Sequence, residues 1–377
     1  MLRPRRLLPT TDAGHEVCDD LSTWTTSWPG ATRDVVGPPF TVTRRPPKTI
    51  EPSVDDSFLL LASYDVPEQA LVTIPGARIR SVSARPHHGL ALVVLPDDRF
   101  VGELVALTPK GRRGMLSREP AFTEPMPRPS TRRSGHWFAF LGFGTQHYYH
   151  WSHDLVMDAR TVVDRLPPDT QFLVPERLRP FQLETLGLLG IDEQRLVHYT
   201  AGSCWELEYL HVVTPRLKTQ IDHPAPFEWF RSASLERYGL DPVAPTRRVY
   251  LSRRDDKHWR LTNEDEVEAA LAARGFETVL PGRLSFRDQV ELFRGASAIV
   301  GTGAGLFNMV FAPTGVKVLQ FQEHRHMINT LWTQADAMGH EYHYVLGDSV
   351  DNPLGKNADI HLPVAKLEVA LDALALD

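Results

Sequence analysis

Ala298-Ile299-Val300-Gly301-Thr302-Gly303-Ala304-Gly305-Leu306-Phe307-Asn308 decides the fold class of this chain. A short apolar run feeds three alternate glycines and then a second apolar segment, which is the pattern of a strand, a tight turn and a helix start. Small residues at such a turn let backbone approach a phosphate, and the amides of a helix N-terminus attract negative charge. The same residues also suit plain close packing. The run has neither the Lys-Ser/Thr of a Walker loop nor the full dinucleotide fingerprint. Around it, strands are expected at 248–251, 276–280, 298–300, 316–321 and 342–346, alternating with helices at 264–273, 286–295 and 327–338. That alternation predicts a parallel α/β domain of nucleotide-binding type. Asn263 with Glu266, and Ser285 with Asp288, have the spacing of helix-capping partners.

Upstream the pattern repeats with a strand at 136–141, a glycine loop Gly142-Phe143-Gly144, a helix at about 148–164, a strand at 171–174, a helix at 180–189 and an apolar segment at 209–213. A chain of 377 residues exceeds one ordinary core. The expected division is an irregular N-terminal segment, 1–52, and a β-rich subdomain, 53–130, with apolar runs at 58–62, 70–74, 90–95 and 100–104. A first α/β domain, 131–242, and a second, 243–350, follow. A C-terminal helix in 351–377 is expected to pack back on the first domain. The net charge of -6 argues against a nucleic-acid-coating role. Two cysteines exclude a disulfide framework and fit a reducing cytoplasm. No apolar run approaches the roughly 20 residues of a membrane span, so a cytoplasmic protein with no nucleic-acid partner and no membrane span is expected.

The densest polar cluster is His147-Tyr-Tyr-His150-Trp-Ser-His153-Asp154. At about 100° per residue, His147, His150 and Asp154 share one helical face and His153 turns away from it. Asp154 is then placed to take a proton from a hydroxyl, with His150 supporting it. Core packing of the aromatics is the plainer reading, and a metal-dependent hydrolase with His147, His150 and Asp154 as zinc ligands is a third. At the end of the 248–251 strand, Arg253 and Arg254 offer guanidinium groups to a diphosphate across from the glycine turn, with Arg260, Asn263 and Glu264 near the same mouth. Beside Asp255 and Asp256, the same arginines also suit a solvated ion-pair surface.

Tyr250-Leu-Ser-Arg-Arg254, Arg260-Leu-Thr-Asn-Glu264, Gly275-Phe-Glu277, Leu284-Ser-Phe-Arg-Asp-Gln289 and 301–308 with Phe311 follow Tyr148-Tyr-His-Trp151 and Asp154. In order and spacing this series resembles the motifs of glycosyltransferase family 61, over about 136–348. The resemblance implies a GT-B architecture, with two Rossmann-type domains facing a cleft. It also implies inverting, metal-independent transfer of a sugar from a nucleotide-sugar, commonly a UDP-sugar, to a glycan, small-molecule or peptide acceptor, with no cofactor. It puts the donor on Arg253, Arg254, Arg260, Asn263, Glu264, Gly301, Thr302, Gly303, Ala304, Gly305 and Asn308, and catalysis on Asp154 and His150. Two positions depart from the family pattern. The glycine turn is one residue shorter and has Thr302 nearest the place of the family's histidine, and Gln320 stands where many members have Glu. The shortened turn motivates a further reading, a nucleotide-sugar-binding relative that no longer transfers.

Overall fold

The computed structural model describes residues 17–18, 20–81, 91–104, 128–140, 144–200, 202–214, 223–352 and 358–376. Gly142 and Phe143 of the expected first glycine loop lie outside these residues. The chain forms two compact units, one from Met1–Phe40 and Val66–Thr219, the other from Thr41–Asp65 and Gln220–Asp377.

The first unit is built on strands β1 (Val17–Cys18), β2 (Thr32–Gly37), β3 (Gln69–Ser81), β4 (Ala91–Val94), β5 (Phe100–Val101), β6 (Thr131–Ala139), β7 (Gln171–Pro175), β8 (Leu196–Tyr199) and β9 (Cys204–Val213). Their order is β1-β5-β4-β3-β9-β6-β7-β8, with β2 also paired to β3. β9, β6, β7 and β8 are parallel neighbours, and β3 joins β9 in antiparallel register. The β-rich run expected as a subdomain therefore extends the α/β sheet. Val72, Ile74 and Ile79 of β3 share one core with Trp137, Leu173, Leu207 and Leu210 of the parallel strands, which is what joins them.

The segment 1–52, expected to be irregular, holds β1, β2 and helix α1 (Leu21–Ser27) among its described residues. Asp20 caps that helix by accepting the Thr23 N–H at 2.9 Å, and Leu21 and Trp24, three residues apart, fall on its core face. These local signals outweigh the Pro, Thr and Arg composition around them.

In the second unit, β10 (Arg247–Leu251), β11 (Phe276–Val279), β12 (Ala296–Gly301), β13 (Lys317–Glu323) and β14 (Glu341–Val350) run parallel in the order β11-β10-β12-β13-β14. β15 (Asp359–His361) closes on β14 in antiparallel register. α2 (Pro180–Leu188) belongs to the first unit, and α3 (Pro224–Tyr238), α4 (Glu264–Ala273), α5 (Phe286–Phe293), α6 (Thr330–Ala337) and α7 (Val364–Ala373) to the second. The Ser285–Asp288 capping box forms at the start of α5.

The C-terminal helix α7 departs from expectation. Its Leu367, Ala370 and Leu371 pack in the second unit's core with Val267 and Leu271 of α4 and Val345 of β14, because β15 doubles back along β14 and delivers the helix to that face. Thr41–Asp65 joins the same unit. Its short strand Lys48–Thr49 pairs with β14, and Phe58, fully buried, stands 5.3 Å from Trp332 and 4.9 Å from Tyr344 between ring centres. The apolar run at 58–62 reads as a strand, yet Asp55 accepts the Ser57 N–H at 2.9 Å and starts the helical turn Asp56–Leu59. Among the described residues no helix is long and apolar enough to cross a membrane.

In each unit the parallel strand order reverses once, between β6 and β9 in the first and between β10 and β12 in the second. Open α/β sheets present ligand sites at the carboxyl ends of the strands at such a reversal.

Candidate active site

Beyond β6 the chain turns at Gly144, whose φ is 72°. A Cβ there would fall 2.7 Å from His150 Cδ2, so only glycine lets His150 lie back over the turn. The helix that follows has three parts: Tyr148–His150, a π-helical turn Trp151–Val156, and Met157–Arg160. Trp151 is fully buried, and its Nε1–H donates to Thr185 Oγ1 of α2 at 2.8 Å. Gln69 of β3 donates to Asp158 at 2.9 Å. The aromatic residues thus do pack in the core, and that packing fixes the polar side chains between them.

His150 Nδ1 lies 2.7 Å from Asp154 Oδ2, and His153 Nδ1 lies 2.7 Å from Asp154 Oδ1. His153 was expected to point away, on α-helical geometry. The wider π turn, often found at functional sites, places it beside its neighbour's carboxylate with its ring stacked on Tyr149 at 4.9 Å. Burial works to raise the Asp154 pKa, but the hydrogen bonds from His150 and His153 outweigh it and hold the carboxyl at about 2. An ionised carboxylate only accepts, so both Nδ1 atoms carry a proton. Both carboxylate oxygens of Asp154, the residue expected to take the acceptor proton, are thus engaged by histidines. The His147 ring centre lies 5.1 Å from that of His150. Among the described residues no group of three or more His, Cys, Asp or Glu converges as metal ligands would, so the expected zinc set does not assemble.

In the second unit, Leu251 at the end of β10 pairs with Gly301 at the end of β12. Gly301 has φ 148°, and a Cβ would fall 2.9 Å from the Leu251 carbonyl oxygen. Gly303 has φ 76°, and a Cβ there would fall 2.8 Å from Arg253 Cζ. The Arg253 guanidinium therefore rests on the backbone of the glycine turn, as the sequence led us to expect. It is held there by the His258 carbonyl, which accepts from Nε at 3.2 Å and Nη2 at 3.0 Å, and by Asp256 at 2.7 Å. Burial lowers the Arg253 pKa from its usual value, against the pull of Asp256 and Asp255. Thr302 is buried within the turn, and Ala304–Phe311 continues as a 3-10 helix rather than an α-helix.

The other expected donor residues have structural partners. Arg254 is exposed and pairs with Asp265 and Glu268, both at 2.7 Å, which is the ion-pair surface reading. Arg260 Nη2 donates to buried Asp359 at 3.0 Å. Asn263 bridges to the backbone of Leu362, donating to its carbonyl at 2.9 Å and accepting its N–H at 3.1 Å. Glu264 accepts from Tyr250 at 2.8 Å and Ser252 at 2.5 Å. Asn308 donates to Gln289 at 2.7 Å in the core. Even so, Arg254, Arg260, Asn263 and Glu264 come together around one open cavity of about 570 Å³. Gln320 is buried and accepts the Tyr342 hydroxyl at 2.7 Å.

Two contributors escaped the sequence reading. Trp259 has its ring centre 5.9 Å from Arg253 Cζ, and its only signal was an aromatic residue inside a polar turn. Gly144 was counted as part of a loop, with no sign of the histidine above it.

Residues 148–319 match the family model described as Glycosyltransferase 61. A search of curated proteins finds no match. The matched span opens at the first residue of the histidine helix and closes within β13, so it takes in His150, Asp154, Arg253 and the glycine turn. The motif series and the match agree: residues 148–319 of this chain are similar to glycosyltransferase family 61, a family of transferase enzymes.

Proposed function

We propose that the protein transfers a sugar from a nucleotide-sugar, a UDP-sugar in the first instance, to an acceptor hydroxyl, with inversion at the anomeric carbon and without a metal. The observation that carries this reading is Arg253 resting on Gly303 at the strand reversal of the second unit. A guanidinium and the amides of a glycine turn at one spot suit a diphosphate. They also supply the charge neutralisation for which a transferase would otherwise need a divalent cation. The reading includes the GT-B class of architecture, supported by a parallel α/β sheet with its own reversal in each unit. It also includes a cytoplasmic location, which suits two cysteines that are both free.

In inverting transfer the acceptor oxygen loses a proton as it bonds to the anomeric carbon, and the electron pair of the breaking C–O bond leaves with the diphosphate. The first task is assigned to His150 Nε2. Asp154, holding Nδ1–H, fixes the tautomer and steadies the imidazolium that forms. The second is assigned to Arg253 and the turn amides.

Arg253→Ala is expected to weaken UDP binding by about 1.5 to 3 kcal/mol, read by calorimetry, and unchanged affinity overturns the assignment. Exhaustive chelation is expected to leave turnover intact. The shortened glycine turn supports a second reading, a relative that binds the donor without transferring. It predicts UDP affinity with no consumption of any UDP-sugar, under any acceptor.

A further inference from the structure

The loop that leaves β7, Glu176-Arg177-Leu178-Arg179, carries two exposed arginines, and neither guanidinium has a partner among the described residues. By contrast, Arg33 pairs with Glu68, Arg132 with Glu206 and Arg165 with Asp34 on the surface of the same unit. Glu176 stands beside Arg177 in the chain and is exposed, yet it pairs with neither arginine. Two like charges this close, left without a counterion, repel each other, and an anion placed between them removes that cost.

The backbone beneath the two arginines is fixed. Gln182 of α2, fully buried, accepts the Arg179 N–H at 2.7 Å through Oε1 and donates through Nε2 to the Thr145 carbonyl at 2.8 Å. Gln146 donates to the Arg177 carbonyl at 3.4 Å. Tyr148 meets Phe181 edge to face with ring centres 5.2 Å apart, and both residues are only half-buried. The loop and the turn into the histidine helix therefore form one rim beyond the carboxyl ends of the paired strands β6 and β7, the side on which open α/β sheets present ligands. A rim with a locked backbone and two unspent cations is organised for a ligand before the ligand arrives.

We infer that the acceptor carries an acidic group, a carboxylate or a phosphate, which Arg177 and Arg179 bind, while Tyr148 and Phe181 offer aromatic surface to the apolar side of its sugar. The inference rests on the reading of the protein as a glycosyltransferase with His150 taking the acceptor proton. A guanidinium presents a planar fork that meets either anion in two parallel charge-assisted hydrogen bonds. Partly wet aromatic rings suit a ligand that is apolar on one side and polar on the other.

The test is calorimetry on the full chain, with and without UDP. The probes are oligogalacturonate, oligomannuronate and a glucuronate-containing oligosaccharide, each beside its carboxyl-reduced form, and glucose 6-phosphate beside glucose. At least one acid is expected to bind about tenfold or more tighter than its neutral partner. The double variant Arg177→Gln, Arg179→Gln is expected to lose that difference and to bind UDP as the parent does. A preference for a uronate assigns the acid as a carboxylate, and one for glucose 6-phosphate alone assigns it as a phosphate. No preference in the parent, or one that survives in the double variant, overturns the inference, and the transferase reading then stands on UDP binding alone. If the double variant weakens UDP as Arg253→Ala does, the two arginines serve the donor and the inference is wrong. A preference for an acid in a parent that takes none of UDP, GDP and ADP keeps the acid site and removes the transferase reading. Both arginines are exposed, so their variants report on binding rather than on folding.

Discussion

Each unit carries one central charge beyond its strand ends, and the two are held in opposite ways. In the first unit it is the Asp154 carboxylate, with both oxygens taken by histidines of its own helix. In the second it is the Arg253 guanidinium, where Nε and Nη2 are engaged by His258 and Asp256 while Nη1 lies at Gly303 without a partner among the described residues. A group that steers a proton through a neighbour works best when its own hydrogen bonds are complete, because its pKa and direction are then fixed. A group that binds a ligand keeps donors in reserve. The contrast suits the proposed division, with proton handling in one unit and anion binding in the other.

The largest expected effect falls on the first unit alone. His150→Ala should lower turnover by about 100-fold or more while UDP affinity stays within a factor of two. Loss of both together would erase the division of labour. Next comes Asp154→Asn, read through stability. The Asp154 pKa is depressed from 3.8 to about 2, so its contribution, about 2 kcal/mol, is complete above pH 4 and lost as pH falls through 2. The denaturant stability gap between parent and variant should therefore narrow from pH 5 toward pH 2, and a constant gap would contradict the bonding described. In the second unit, Gly303→Ala forces a side chain into Arg253 at a positive φ and should cost about tenfold in UDP affinity together with about 1 to 3 kcal/mol of stability. Arg254→Ala should be the mildest: its exposed pairs with Asp265 and Glu268 contribute at most about 1 kcal/mol, and UDP affinity should not move. A clear loss of binding there would return Arg254 to the donor site.

The second unit was far more legible than the first. Its central strands β12 and β13 are almost wholly buried in a parallel sheet, so apolar runs and caps such as Ser285–Asp288 stand out locally. Arg253 over the glycine turn was readable because strand end and turn lie at one reversal of strand order. Asn263 shows the limit: it is the N-cap residue of α4 and its amide does donate to Glu266 at 3.3 Å, but it caps no helix N–H and also donates to the Leu362 carbonyl, 99 residues away. The pairing of His153 with Asp154 was hidden because a π turn leaves no mark in a periodicity counted at 3.6 residues. The joining of β3 to β9, across more than a hundred residues, was hidden because strand partners are chosen by tertiary packing.

The strand Lys48–Thr49 has a consequence for how the protein is made. Thr49 hydrogen-bonds to the Tyr344 carbonyl, 295 residues further along, and Phe58 waits for Trp332 and Tyr344. At a synthesis rate of about 5 to 20 residues per second, the early segment is on or outside the ribosome for roughly 15 to 60 s before its partners exist. Phe58 spends that interval exposed on a nascent chain. A product ending before β14 would still hold Trp332 but lack Tyr344 and the strand partner of Lys48–Thr49, so this early segment is completed only by the last part of its own unit.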